Sequence, residues 1–78
     1  MVTSAQLRAA RGLLNWTIRD LSEKAGVHRN TIWRTETEAT DHGHAIAQVV
    51  STLEQAGVEF IPGNGGGPGV RLRKGVAP

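Results

Sequence analysis

The chain has 78 residues, a formal net charge of +2 and no cysteine. A chain this short holds one small domain that buries only about 60% of its unfolded surface, and the absence of thiols excludes a disulfide framework and thiolate zinc ligands. No apolar run approaches the roughly 20 residues that span a bilayer, and the N-terminal MVTSAQLRAAR lacks the apolar centre of a signal peptide, so a soluble cytoplasmic protein is expected.

Residues 3–13 are predicted to form a first helix. Thr3 and Gln6 make a capping-box pair, and Leu7, Ala10, Leu13 and Leu14 recur at helical spacing. Asn15 and Trp16 link it to a second helix over residues 18–25, opened by Thr17 with Asp20 three positions on, with Leu21 and Ala25 turned inward and Trp16 as its anchor. Gly26 ends that helix with the left-handed backbone a sharp turn needs. A third helix is predicted over residues 29–37, with His28 at the capping position and Ile32 in the core. Residues 38–43 read as a polar loop, and residues 44–56 as a fourth helix with Ile46, Val49, Val50 and Leu53 on its inner stripe, stopped by Gly57. Beyond it, Val58, Phe60 and Ile61, then PGNGGGPG, then Val70-Arg71-Leu72-Arg73 read as strand, glycine-rich turn and strand. A lone hairpin is marginal in water, so this one either lies against the helices or pairs with another copy. The expected architecture is mainly α: four or five helices in residues 1–57, then a β-hairpin arm over residues 58–78 whose last four residues fray.

Function is carried by the middle of the chain. The helix at 18–25, a turn at Gly26 and Val27, and the helix from Arg29 onward have the dimensions of a helix-turn-helix. With Ala25 small, Gly26 turning, and Val27 and Ile32 in the core, the second of these helices presents Arg29, Asn30, Trp33 and Arg34 outward. An α-helix fits the major groove of B-DNA, where Arg grips guanine and Asn grips adenine, each through two hydrogen bonds. Nine Lys and Arg, seven of them Arg, and a sequence pI near 9.9 suit an anionic partner. A merely solvated polar face accounts for the charges but leaves the turn unexplained.

The stretch LRAARGLLNWTIRDLSEKAGVHRNTIWRTE resembles the lambda-type repressor and Cro family of helix-turn-helix regulators, and AGVEFIPGNGGGPGVRLRK resembles a bacterial subgroup of small single-domain members; the likeness runs from Ala5 to Lys74. It implies a lambda-repressor-like domain that binds double-stranded DNA in a sequence-specific way. Such a protein acts as a transcriptional regulator, expected to be a repressor, and sits as a homodimer on a near-palindromic operator, with the hairpins or fourth helices in contact. By the same likeness Arg29, Asn30 and Arg34 reach base edges, Thr17, His28 and Thr31 contact phosphates, and Arg11 pairs with Glu36 to join the first helix to the third. The sequence departs from the family pattern at Ile18, where Gln is usual and where Arg19 would take over the phosphate contact. It departs again at His28 in place of a Ser or Thr cap, at Thr35 in an apolar position, and at Trp33, which either contacts sugar or a thymine methyl group or folds back onto the domain.

Other features carry less. PGNGGGPG has Pro68 where a phosphate-binding glycine pattern needs its third glycine, and no helix follows. His42 and His44 make a weak metal pair without a third ligand, and Asp20 with Glu23 has no histidine to form an acid–base site. No cofactor, metal or enzymatic activity is expected. Arg71, Arg73 and Lys74 alternate with Val70 and Leu72, which suits a soluble strand edge better than added phosphate contacts, the other reading they allow. The competing functional reading is an antitoxin or adaptor whose hairpin adds a strand to another protein.

Overall fold

The computed structural model describes residues 2–37, 43–63 and 65–75. The polar loop expected at 38–43, apart from Gly43, lies outside these, as do His42 of the histidine pair, Asn64 of the hairpin turn and the last three residues of the tail. Four α-helices are present among the described residues, α1 (Ser4–Leu13), α2 (Ile18–Ala25), α3 (Arg29–Thr37) and α4 (His44–Gln55), followed by strands β1 (Val58–Ile61) and β2 (Gly69–Leu72). The chain is therefore mainly helical with a small C-terminal hairpin, as the periodicity predicts.

The two capping boxes are complete. Thr3 Oγ1 accepts from the Gln6 N–H at 3.1 Å while the Thr3 N–H donates to Gln6 Oε1 at 2.8 Å; Thr17 and Asp20 repeat the exchange at 3.0 and 2.9 Å. Each box satisfies two backbone donors that a helix start would otherwise leave orphaned. Asn15 joins α1 to α2 with a positive φ of 58°, a conformation Asn tolerates better than most residues.

All four helices and β1 contribute to one core: Leu7, Ala10 and Leu14 from α1 and its C-cap, Leu21 from α2, Ile32 from α3, Val49 and Leu53 from α4, and Val58 from β1. Val50 packs on its edge. Ile46 is a correction: it is half-exposed and does not join the cluster. Helical spacing places it on the correct face, but it lies in the first turn of α4, and periodicity does not say how far along a helix the core extends.

The strands pair antiparallel with Val58 opposite Leu72 and Ile61 opposite Gly69. Of the two placements the hairpin had open, the structure shows the first: Phe60, Val70 and Leu72 pack on the helical core, and Val58 is buried within it. The second strand starts and ends one residue earlier than expected. Its outer face carries the Arg71–Glu59 ion pair at 2.7 Å, while Arg73 is anchored twice, its N–H to the Gly57 carbonyl at 2.7 Å and its guanidinium to the Glu54 carbonyl at 2.9 Å.

A single side chain locks the loop end of the hairpin to α1. Gln6 is 4% exposed, and its Nε2 donates to both the Ile61 carbonyl at 3.2 Å and the Gly69 carbonyl at 2.9 Å. With Oε1 held by Thr3, the whole amide is satisfied. Replacing Gln6 by Ala is expected to lower stability by about 1–3 kcal/mol, because two strand carbonyls lose their partner and the α1 cap loses half its box; urea denaturation reads this, and an unchanged midpoint would show the lock to be idle.

Candidate nucleic-acid interface

The turn between α2 and α3 is built by a left-handed glycine and three local hydrogen bonds. Gly26 sits at φ 68°, ψ 30° and its N–H closes on the Ser22 carbonyl at 3.0 Å. A Cβ there would meet nothing within 4 Å, so the requirement for glycine comes from the left-handed backbone rather than from crowding. Ser22 Oγ then donates to the Val27 carbonyl at 2.6 Å, pulling the turn back onto α2. His28 Nδ1 accepts from the Asn30 N–H at 3.1 Å. A ring nitrogen thus performs the cap usually made by a hydroxyl, on a residue that is exposed.

On α3 the buried and exposed positions separate cleanly. Ile32, Thr35 and Glu36 are buried, whereas Arg29, Asn30, Trp33, Arg34 and Thr37 are exposed. At about 100° per residue the exposed set covers an arc of about 140° and the buried set about 100° on the opposite side, with half-buried Thr31 between them. The four residues predicted to read bases therefore share one face. Trp33 does not fold back onto the domain; it is 55% exposed.

Only one of the three inward residues on α3 is a hydrocarbon. Thr35 turns its hydroxyl to the Ile32 carbonyl at 2.7 Å. Glu36, 2% exposed, is gripped by Arg11 through two parallel bonds, Nε to Oε2 at 2.9 Å and Nη2 to Oε1 at 3.0 Å. The third nitrogen of Arg11 donates to the Trp16 carbonyl at 3.0 Å, so one guanidinium ties α1, the link to α2, and α3 together. Arg8 adds a bond from α1 to the Glu36 carbonyl. Among the described residues no buried side-chain polar atom lacks a partner. Arg8, Gln6 and Ser22 were not singled out from the sequence for these contacts. Each acts on a backbone carbonyl, which every residue has.

The residues predicted to meet phosphates gather at two helix starts. Thr17 caps α2 and Arg19 lies in its first turn; His28 precedes α3 and Thr31 lies in its first turn. Unpaired N–H groups and the positive end of the helix dipole favour anions at such places. Arg19 meets Glu23 at 3.4 Å, but both are well exposed and such a pair is worth only a few tenths of a kcal/mol, so it does not withhold the arginine. Ile18 packs toward the core instead of offering a polar contact. Lys24 lies 5.1 Å over the Trp16 ring, which holds that indole in place.

The arginines divide in two. Arg8, Arg11, Arg19, Arg71 and Arg73 each have a carboxylate or carbonyl partner. Arg29 and Arg34 have none among the described residues, leaving two unneutralised cations on the exposed face of α3. The described residues contain no cluster of three or more His, Asp or Glu that would hold a metal, and no helix is long and apolar enough to cross a membrane.

Two outcomes follow for stability. Arg11→Met leaves a buried carboxylate unpaired and is expected to cost about 3 kcal/mol, the low end for such breaks because Arg11 keeps 24% of its side chain in solvent; the double change Arg11→Met with Glu36→Leu should recover most of the loss in a urea titration. Asp20 behaves differently. The Thr17 N–H, then the Thr17 hydroxyl, stabilise its charged form and hold its pKa below the ordinary 3.8. The unfolded chain therefore binds the proton more readily, so this contribution is complete above the ordinary value and disappears as pH falls through the depressed one. The stability difference between the native protein and Asp20→Asn should shrink on acidification across that window, as read from melting temperatures; a difference independent of pH would remove Asp20 from the cap.

No known family model matches the chain and no curated protein shows significant similarity to it, so the functional reading rests on the geometry above and on the resemblance seen in the motifs.

Proposed function

We propose that the chain is a sequence-specific double-stranded DNA-binding regulator that inserts α3 into the major groove and works as a homodimer. The observation carrying this reading is the single exposed arc of α3, with Arg29, Asn30, Trp33 and Arg34 together and the two arginines free of described partners. Arg29, Asn30 and Arg34 match the hydrogen-bonding patterns of guanine and adenine edges. The N-termini of α2 and α3, with Thr17, Arg19, His28 and Thr31, supply phosphate contacts that set the position of the domain without reading sequence. The resemblance of the motifs to the lambda-type repressor and Cro family points the same way and favours repression.

Two or three base-reading side chains address too few base pairs to select a site in a genome, which is the reason for a dimer. The longest dimension of the domain is 31 Å. That is close to the roughly 34 Å between successive major-groove faces, so two touching copies can fill adjacent turns of a near-palindromic operator.

Duplexes selected from a random pool give the test. Binding should fall steeply as salt rises. Arg34→Ala should cost about 1–3 kcal/mol and relax preference at one base position, whereas Arg19→Ala should weaken all duplexes alike and reduce the salt slope by about 1. If a fluorescence titration were indifferent to both, α3 would not be the reading face. Recovery of one stable protein partner and of no preferred duplex would favour the adaptor reading instead.

A further inference from the structure

Among the described residues Trp33 is the exposed large hydrophobic side chain. A lone surface hydrophobe needs no explanation, but this one occupies a particular place. At about 100° per residue it lies about 40° from Arg29 and about 60° from Asn30, inside the arc that α3 turns outward. Hydrogen-bonding side chains flank it on both sides. The helix is held from behind by Ile32 and the Arg11–Glu36 pair, so the indole is carried wherever α3 goes.

We propose that Trp33 is a specificity-determining residue that selects thymine through its C5 methyl group. The inference rests on α3 entering the major groove. Within a stacked B-form duplex the faces of the bases cover one another, so a helix seated in the groove meets only edges. The hydrogen-bonding groups on those edges are the donors and acceptors that Arg29, Asn30 and Arg34 address, and the methyl group displayed there is that of thymine. An indole is apolar over most of its area, and its one polar group is a single N–H donor, so its apolar face gains nothing beside an unsatisfied oxygen or amine. Burying a methyl against it removes apolar surface of both from water. The thymine therefore falls in the same half-site as the bases met by Arg29 and Arg34, since Trp33 lies one turn beyond Arg29 and adjacent to Arg34.

The experiment uses the preferred duplex recovered by the full-length protein from a random pool, with each thymine replaced in turn by deoxyuridine. That exchange deletes the methyl and leaves every hydrogen-bonding group of the base in place, and it does not depend on any variant folding. One position per half-site is expected to lose about fourfold in affinity, the effect of burying one carbon, while Trp33→Ala binds the thymine and deoxyuridine duplexes equally at that position. Deoxyuridine tolerated at every position, or a Trp33→Ala protein as sensitive to it as the native one, would overturn the assignment while leaving DNA binding by α3 intact. A pool that yields no preferred duplex for the native protein would overturn the DNA reading itself, and the thymine contact with it.

Discussion

The position of α3 depends on one buried carboxylate. Three of its residues face the interior, and of these Thr35 and Glu36 are polar, leaving Ile32 as the sole hydrocarbon contribution. Apolar burial alone is a weak and non-directional hold on such a helix. The two parallel bonds from Arg11 to Glu36 replace it with something directional: a planar guanidinium fits a carboxylate in one orientation, and its remaining nitrogen is already committed to the Trp16 carbonyl. Desolvation offsets much of the attraction of a buried pair. Its contribution is therefore to fix where α3 sits more than to add net stability.

Local chemistry was legible in the sequence because both partners of each local interaction lie within a few residues. Thr3 with Gln6 and Thr17 with Asp20 announce helix starts, Gly26 announces a left-handed turn, and the recurrence of Leu7, Ala10, Leu21 and Ile32 identifies inner faces. Contacts from side chains to distant carbonyls were not legible. Gln6 reaches residues 55 and 63 positions away, and Arg8 and Arg73 act on carbonyls of Glu36 and Glu54; no residue type marks a carbonyl as a target. Ile46 shows a second limit, since a moment along a helix gives direction but not extent. Trp33 shows a third. Whether an indole lies back or stands out is decided by what surrounds it in three dimensions, which the sequence alone does not give.

The distribution of arginine ties the site to the fold. Side chains of one type serve opposite purposes here: Arg11 is consumed by an internal carboxylate and Arg71 by a cross-strand one, whereas Arg29 and Arg34 are left with their charge uncompensated among the described residues. Net charge is therefore a poor guide to this molecule. A value of +2 on 78 residues is unremarkable in sum, yet Arg29 and Arg34 place two cations without described partners on the exposed face of one helix. Attraction to an anion depends on that local field and not on the total.

The hairpin bears on how two copies would meet. Most of its apolar residues are already used: Val58 is 1% exposed, and Phe60, Val70 and Leu72 pack on the helices. The outward strand face presents the Glu59–Arg71 pair, with Ile61 the one large apolar residue of β1 on that face. A dimer formed through β1 and β2 would have to use strand edges, gaining backbone hydrogen bonds instead of apolar area. It would also leave α1 undisturbed, because the Gln6 amide bonds the Ile61 and Gly69 carbonyls from inside each subunit. The hairpin is thus part of the domain that carries α3: Gln6 ties it to α1, the helix whose Arg11 grips the carboxylate that orients α3.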